Sequence, residues 1–183
     1  MSTIQFRNEV HSLLAGGLWH NTSDDRFAGI LLTGEIQSEP DIPDKGRYNT
    51  GAGEKGYPFA RSLGAISLFD LTGFDHDEYA ARYPVSSISA FVPYRPAWGH
   101  SVWLELDRPA LAQNLIGAVE LLDHWKSFGG DRNILPGVEA AHVGPIPVSA
   151  LIRAVRISAN GITASSVEPN RTVPSSDSGR SAD

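Results

Sequence analysis

The residues best suited to chemistry lie early in the chain, in the segment 18–23 with the sequence Leu-Trp-His-Asn-Thr-Ser. Its apolar start predicts a short buried strand that ends at His20, with the hydroxyls of Thr22 and Ser23 just beyond. Imidazole and hydroxyl groups both donate and accept hydrogen bonds. The spacing therefore predicts a cleft at the end of this strand, where a polar ligand is held against a hydrophobic wall.

Two helices are expected to position this strand. An apolar period over residues 4–14 predicts an N-terminal helix that ends at two glycines. Thr22 or Ser23 is suited to cap a second helix, because two aspartates in its first turn favour the positive end of the helix dipole. Gly34 marks the end of that second helix.

Further strands are indicated by apolar runs and by alternation of apolar and polar residues. They comprise a central strand at 65–71, a half-exposed strand at 101–107, a short strand at 138–143 that carries Glu139, and a last strand at 152–158 that closes the sheet.

One long helix and two loop-rich stretches are expected between these strands. Pro109 opens a helix whose apolar positions recur as far as Trp125. Residues 35–57 have no periodicity, which indicates either a binding loop or an insertion that the fold merely tolerates. Residues 72–94 form a second loop-rich stretch with one short helix.

The sum of these elements is a single α+β domain with five or six short strands and three or four helices. The domain is expected to span residues 1–162. From Thr163 onward polar residues, proline and arginine dominate, so residues 163–183 are predicted to be a disordered tail.

Composition excludes several classes of function. The 183 residues are 41% hydrophobic and can fill one core, and the net charge of −6 disfavours non-specific binding to a polyanion. The absence of cysteine excludes disulfides, thiolate zinc sites and cysteine nucleophiles, and it fits a cytoplasmic protein. The apolar runs are too short to predict a membrane helix, and residues 1–14 lack the long apolar run of a signal peptide.

The order of these motifs resembles the ADP-ribosyltransferase fold over residues 18–157. The resemblance is carried by His20 and Thr22 at a strand end, a following helix with Gly34, a central strand preceded by Arg61, and the late Glu139. The opening segment is most similar to DNA-targeting ADP-ribosyltransferase toxins and to relatives of the tRNA 2′-phosphotransferases. The resemblance implies small mixed or antiparallel sheets around a central NAD cleft flanked by helices.

The activity implied by this resemblance is cleavage of the nicotinamide–ribose bond of NAD and transfer of ADP-ribose to a macromolecular acceptor. NAD would be a co-substrate, and no metal is implied. The resemblance also implies a bacterial toxin of a toxin–antitoxin or phage-defence system, with an antitoxin as a possible protein partner. The acceptor is left open among nucleic acids, proteins and small molecules.

The resemblance assigns roles to particular residues. Glu139 would stabilise the positive charge that develops on the ribose, an oxocarbenium-like state, by placing a carboxylate beside it. His20 would face Glu139 across a shared dinucleotide groove and act with it. Together with Thr22 and Ser23, His20 would also hold the adenosine-side ribose. Arg61 would bind the diphosphate or orient the nicotinamide ribose, since a guanidinium matches phosphate oxygens.

Other pocket residues follow from the same resemblance, some with alternatives. Ser67 would line the nicotinamide pocket, and Tyr57 or Phe59 would stack on the nicotinamide ring. Arg47 competes with Arg61 for the diphosphate. The family tyrosine is not singled out among four candidates, Tyr48, Tyr57, Tyr79 and Tyr83. Gly137 stands where some members have a second carboxylate, which argues against an arginine acceptor.

Two other functions stay open: a non-catalytic module that binds a nucleotide or a partner, and an RNA 2′-phosphotransferase. Other motifs are weaker. Residues 75–78, Asp-His-Asp-Glu, are expected to form a solvated acidic turn rather than a metal site, because no His-x-x-x-His pair accompanies them. Residues 51–56 lack the Gly-Lys-Ser/Thr ending of a phosphate loop, and no Gly-x-Ser-x-Gly motif indicates a serine hydrolase.

Overall fold

A computed structural model describes residues 3–48, 53–86, 88–92 and 99–167. In this part of the chain the helices are α1 Thr3–Leu14, α2 Asp24–Thr33, α3 Asp44–Tyr48, α4 Phe59–Ser62, α5 His76–Arg82, α6 Arg108–Leu111 and α7 Ala118–Ser127. The strands are β1 Leu18–Thr22, β2 Glu35–Ile36, β3 Ala65–Asp70, β4 His100–Leu106, β5 Leu115–Ile116, β6 Glu139–Val143, β7 Ile146–Pro147, β8 Leu151–Ser158 and β9 Gly161–Ser166.

Seven of the strands form one sheet in the order β5-β6-β3-β1-β4-β8-β9. Each neighbouring pair in this sheet is antiparallel, and β2 and β7 form a separate antiparallel pair. The predicted α+β class is confirmed. The strand predicted to be central, β3, has neighbours on both sides.

The two faces of the large sheet pack against different helices. Alternate residues of β1, β3 and β4, such as Leu18, Leu68 and Leu104, form a core with α2. The residues between them, including Trp19 and Trp103, pack with α1 and α5 on the other face. Near β5 and β6, that second face is covered by residues of α4 and α7.

The structure at the start of α2 decides between the two predicted caps. The Ser23 side chain accepts a hydrogen bond from the Arg26 N–H at 3.4 Å, and Gly34 ends the helix with a φ of 79°. A left-handed residue at this position is why glycine suits the helix end. Thr22 belongs to β1, which runs two residues beyond the predicted end at His20.

The prediction that residues 101–107 form a half-exposed strand is wrong. β4 lies between β1 and β8 in the sheet. Its successive residues Trp103 and Leu104 point to opposite faces of the sheet, and both are fully buried. The alternation that suggested an exposed face comes from Trp103 and Glu105, and Trp103 lies in the second core. Helices cover both faces of this strand, which a single-strand pattern does not reveal.

The single helix predicted from Pro109 to Trp125 is also wrong. Leu115 and Ile116 pair with His142 and Ala141 of β6, so this stretch is split into α6, β5 and α7. Pairing with the edge of the sheet overrides the helical spacing of the apolar residues.

Residues 35–57 are not a structureless loop, because they contain β2 and α3. Ile36 of β2 pairs with Ile146 of β7 and is buried, which ties this stretch to the first core. The acidic run at 75–78 is the start of α5, where the Asp75 carboxylate accepts the Glu78 N–H at 2.8 Å.

The sheet extends beyond its predicted last strand. β9 lies outside β8, so β8 does not close the sheet and the predicted domain boundary at 162 falls inside β9. Residues 168–183 of the predicted tail lie outside the described residues. Among the helices of the described ranges, none has the length and apolar character needed to cross a membrane.

Candidate functional site

The central strands β1 and β3 are paired only at one end. Their ladder consists of Leu18 with Asp70 and Trp19 with Phe69, and it does not continue to the C-terminal part of β1. We refer to residues 20–22 of β1 and 65–68 of β3, beyond the last paired residues, as the β1–β3 break. The predicted strand-end histidine and the predicted pocket serine, Ser67, both lie there.

The His20 ring takes the place of a backbone partner at this break. Its Nδ1–H donates to the Ser67 carbonyl oxygen at 3.2 Å, because a carbonyl can only accept. The pKa of His20 is lowered to about 4, chiefly by burial. The bond to the Ser67 carbonyl opposes this shift, and the positive charges of Arg47 and Arg26 add to it. At neutral pH the ring is uncharged, and Nε2 is an acceptor.

The Ser67 side chain contacts the predicted catalytic residue. Its hydroxyl donates to Glu139 Oε1 at 2.9 Å, and the other carboxylate oxygen of Glu139 accepts the Leu135 N–H at 3.1 Å. Ser67 therefore bonds to His20 through its backbone and to Glu139 through its side chain. The structure brings these three predicted residues together.

Glu139 is held by a tight turn before β6. The Leu135 carbonyl accepts the N–H groups of Val138 and Glu139 at 3.2 and 2.8 Å. Gly137 in this turn has a φ of 70°, which a residue with a Cβ adopts only with strain. The turn fixes the carboxyl group against the backbone of its own segment.

Glu139 is buried, with 5% of the residue exposed. Burial raises the pKa of Glu139 to about 7, against the opposing effect of hydrogen bonds from the Leu135 N–H, the Ser67 hydroxyl and the Ala60 N–H. Near neutral pH this group exchanges a proton readily, which is the property of a general acid or base.

The prediction that His20 and Glu139 face each other across one groove is wrong. His20 is paired with Leu104 and shares its face of the sheet, whereas Glu139 is paired with Phe69 on the opposite face. Side chains alternate along a strand, so the two groups approach Ser67 from different sides of the sheet. They are joined through Ser67 and not by direct contact.

The two predicted hydroxyl residues of the strand end are less available than expected. Thr22 is buried with 9% of its surface exposed. The Ser23 hydroxyl accepts a backbone N–H at the start of α2. Their structural roles are clear, and a role of either in ligand binding stays a prediction.

The two candidate arginines differ in their surroundings. Arg61 forms ion pairs with Glu39 and, at 3.3 Å, with Asp44. Arg47 lies over the Tyr48 ring with its guanidinium carbon 5.1 Å from the ring centre, and its charge lowers the pKa of His20. Of these two arginines, Arg47 is the one whose charge acts on His20 at the β1–β3 break, while the charge of Arg61 is neutralised by two carboxylates.

Arg26 was not predicted and contributes to this arrangement. Its guanidinium donates to the carbonyl oxygens of Arg47 and Gly46 at 2.7 and 2.5 Å, which ties the end of α3 to α2. These contacts join residues about 20 positions apart, so no local sequence pattern indicates them.

Tyr57 and Tyr48 pair with ring centres 5.0 Å apart. Phe59, the alternative to Tyr57 for stacking on nicotinamide, is 1% exposed in the core, so that alternative is wrong. Tyr79 and Tyr83 line a cavity of about 150 Å³ beside α5, which also touches Gly137 and Val138 of the turn before Glu139. Of the four candidate tyrosines, Tyr48 and Tyr57 therefore lie with Arg47.

The acidic residues that suggested a metal site do not converge. In the described ranges, no group of three or more histidine, aspartate or glutamate side chains is arranged to hold a metal ion. No family model matches this chain, and a search of the curated proteins finds no match.

Removing the Ser67 hydroxyl tests its effect on Glu139. Ser67→Ala is expected to raise the pKa of Glu139 further, by about one to two pH units, because a hydrogen bond to a charged group is worth roughly 1.5–3 kcal/mol. The His20 bond is to the backbone and is retained. The change is measured by NMR titration of the glutamate carboxyl carbons.

Ser62→Ala is the control for this titration, since Ser62 is exposed at the end of α4. It should leave the Glu139 titration at the wild-type position. An unchanged titration in Ser67→Ala would contradict the role given to the hydroxyl.

Proposed function

We propose that the chain is an NAD-dependent ADP-ribosyltransferase that cleaves the nicotinamide–ribose bond and transfers ADP-ribose to an acceptor. The observation that carries this proposal is the double contact of Ser67, with His20 through its carbonyl and with Glu139 through its hydroxyl. Three residues from distant parts of the sequence thereby meet where two central strands stop pairing.

The charge on Glu139 fits the chemistry of glycosidic bond cleavage. Breaking the nicotinamide–ribose bond leaves positive charge on the ribose, and a nearby carboxylate stabilises that charge. A positive ligand beside a buried carboxyl also favours the ionised form, since opposite charges attract strongly in a low dielectric. Glu139, whose pKa is raised to about 7, would therefore become charged as the cation forms.

His20 supplies a neutral hydrogen-bonding group to the same break. With Nδ1–H fixed on Ser67, the Nε2 atom accepts a hydrogen bond from a hydroxyl of a ribose. His20 and Glu139 lie on opposite faces of the sheet, so one dinucleotide would contact both only if β1 and β3 separated at the break. Arg47 beside His20 supplies a positive charge for the diphosphate.

Incubation of the purified protein with NAD tests the proposal directly. Free nicotinamide is quantified by chromatography, with and without a cell lysate that supplies acceptors, and intact mass reports transferred ADP-ribose. We expect nicotinamide release by the wild-type chain. Saturable NAD binding without release in either condition would contradict the transferase proposal.

The two arginines give a second prediction. Arg47→Ala is expected to weaken NAD binding about 10-fold or more, because a charge-assisted hydrogen bond to phosphate contributes roughly 1.5–3 kcal/mol. Arg61→Ala is expected to have a smaller effect, since Glu39 and Asp44 already neutralise Arg61. Isothermal titration calorimetry with NAD measures both, and a larger loss in Arg61→Ala would reverse the assignment.

A non-catalytic nucleotide-binding module is the second candidate. It is favoured by one observation, that both carboxylate oxygens of Glu139 accept hydrogen bonds from the protein itself. This candidate expects NAD binding without turnover and the same affinity in Glu139→Gln. The toxin role and the antitoxin partner stay predictions from the resemblance.

A further inference from the structure

Away from the β1–β3 break, a pair of histidines lies between α1 and α5. The His11 ring of α1 is stacked on the His76 ring, the first residue of α5, with centres 4.3 Å apart and planes inclined by 24°. The edge of Phe74 closes another side of His11, with ring centres 6.1 Å apart. The stack joins the N-terminal helix to the segment that follows β3.

His11 is buried in a way that disfavours a positive charge. Its ring is 7% exposed, and neither ring nitrogen has a hydrogen-bond partner among the described residues. An imidazolium carries two N–H donors, and both would be desolvated without an acceptor. His76 differs, because its side chain is 24% exposed and its Nδ1 bonds to Asp77 at 3.1 Å.

The charged groups around His11 also oppose its protonation. Arg7 lies one helical turn earlier on α1, and its charge together with that of His76 repels a proton on His11. Asp77 on α5 attracts one, but its side chain is 99% exposed and its effect is the weakest of the four causes. A proton on His11 would therefore be buried beside Arg7 and His76, with no hydrogen-bond acceptor for either ring N–H among the described residues.

We propose that the His11–His76 stack is an acid-sensitive latch, which holds α1 on the sheet at neutral pH and lets α1 detach when the buried His11 ring takes up a proton. What detaches is well defined. Phe6, Val10 and Leu14 pack into the second core, and the Leu14 carbonyl accepts the indole N–H of Trp19 at 2.8 Å. Trp19 precedes His20 on β1, so detachment uncovers the strand that carries the candidate site.

The direction of the pH effect follows from linkage. Burial, then the charges of His76 and Arg7, lower the pKa of His11 from 6.5 to about 4. A group with a lowered pKa in the folded state contributes stability that is present above pH 6.5 and declines as the pH falls towards 4. Between pH 7.5 and 5 the opening equilibrium of α1 should therefore increase on the order of 10-fold or more.

Hydrogen exchange of the full chain tests the latch. Backbone amide exchange in α1 is measured by mass spectrometry at pH 7.5 and pH 5.0, each corrected for the chemical exchange rate at that pH. We expect α1 to lose protection in acid relative to β3 and β4. His11→Phe keeps a ring in the stack but cannot take a proton, so its α1 protection should no longer depend on pH in this range.

His100→Phe is the matched control, because His100 is exposed at the start of β4 and should leave the acid response unchanged. An equal acid response in wild type and His11→Phe would overturn the proposal, as would unchanged α1 protection in the wild type. If His11→Phe does not fold, NMR titration of the wild-type imidazoles decides the matter. A titration of His11 near pH 6.5 would then overturn the latch.

Discussion

Replacing Glu139 by alanine is expected to lower the rate of nicotinamide release from NAD at least about 100-fold, the loss typical of removing a main electrostatic stabiliser of a transition state. The reason is that the alanine side chain leaves the positive ribose without a facing carboxylate. NAD affinity should change much less, because the stabilised charge exists mainly in the transition state. Single-turnover measurements of nicotinamide release together with calorimetry separate the two effects.

Glu139→Gln sharpens this test, since it keeps the shape of the side chain and removes the charge. It should lose activity to a similar degree. Glu35→Gln is the matched control, because Glu35 also lies on a strand but in the separate β2–β7 pair. Wild-type rates of nicotinamide release in Glu139→Gln would exclude Glu139 from the chemistry. NAD binding without nicotinamide release by the wild-type chain would instead favour the binding-module candidate.

The parts of the fold that the sequence could predict are those with strong local signals. The apolar run of β3 and the residues that begin and end α2, Ser23 and Gly34, are signals that depend on neighbouring residues only. The structure agrees with both. β4 and the stretch 109–125 depend on what packs beside them. Trp103 is buried because other elements pack against the second face of the sheet, and Leu115 is in a strand because it pairs with β6. Both are tertiary effects, which the spacing of apolar residues along the chain does not reveal.

The sequence indicated which residues form the candidate site, but not how those residues are arranged in space. Motif order singled out His20, Ser67 and Glu139, and these three do meet. The face on which each side chain lies depends on sheet register, and a register cannot be read from one strand alone. The partners of Arg61 were equally hidden from local sequence patterns, because Glu39 and Asp44 lie 22 and 17 residues before it and contact it only in the folded chain.

Glu139→Gln is also expected to stabilise the protein in alkaline solution. In the folded state burial raises the pKa of Glu139 to about 7 from its ordinary 4.5, so the folded state binds this proton more tightly than the unfolded state. The wild type therefore loses stability as the pH rises from 4.5 to 7, and the difference of about 2.5 pH units corresponds to roughly 3 kcal/mol. Glutamine has no proton to lose and avoids this cost.

Urea unfolding at pH 5 and pH 8.5 measures the effect. The free energy of unfolding of Glu139→Gln, relative to wild type, should rise by roughly 3 kcal/mol between the two pH values. Comparing the same two proteins at both pH values cancels the contributions of His11 and His20, which also have altered pKa values. Glu35→Gln should show no such rise. A variant that loses activity while gaining alkaline stability would indicate that this buried carboxyl is retained at a cost to folding, whereas a constant difference across pH would mean that Glu139 is ionised as easily in the folded chain as in the unfolded one.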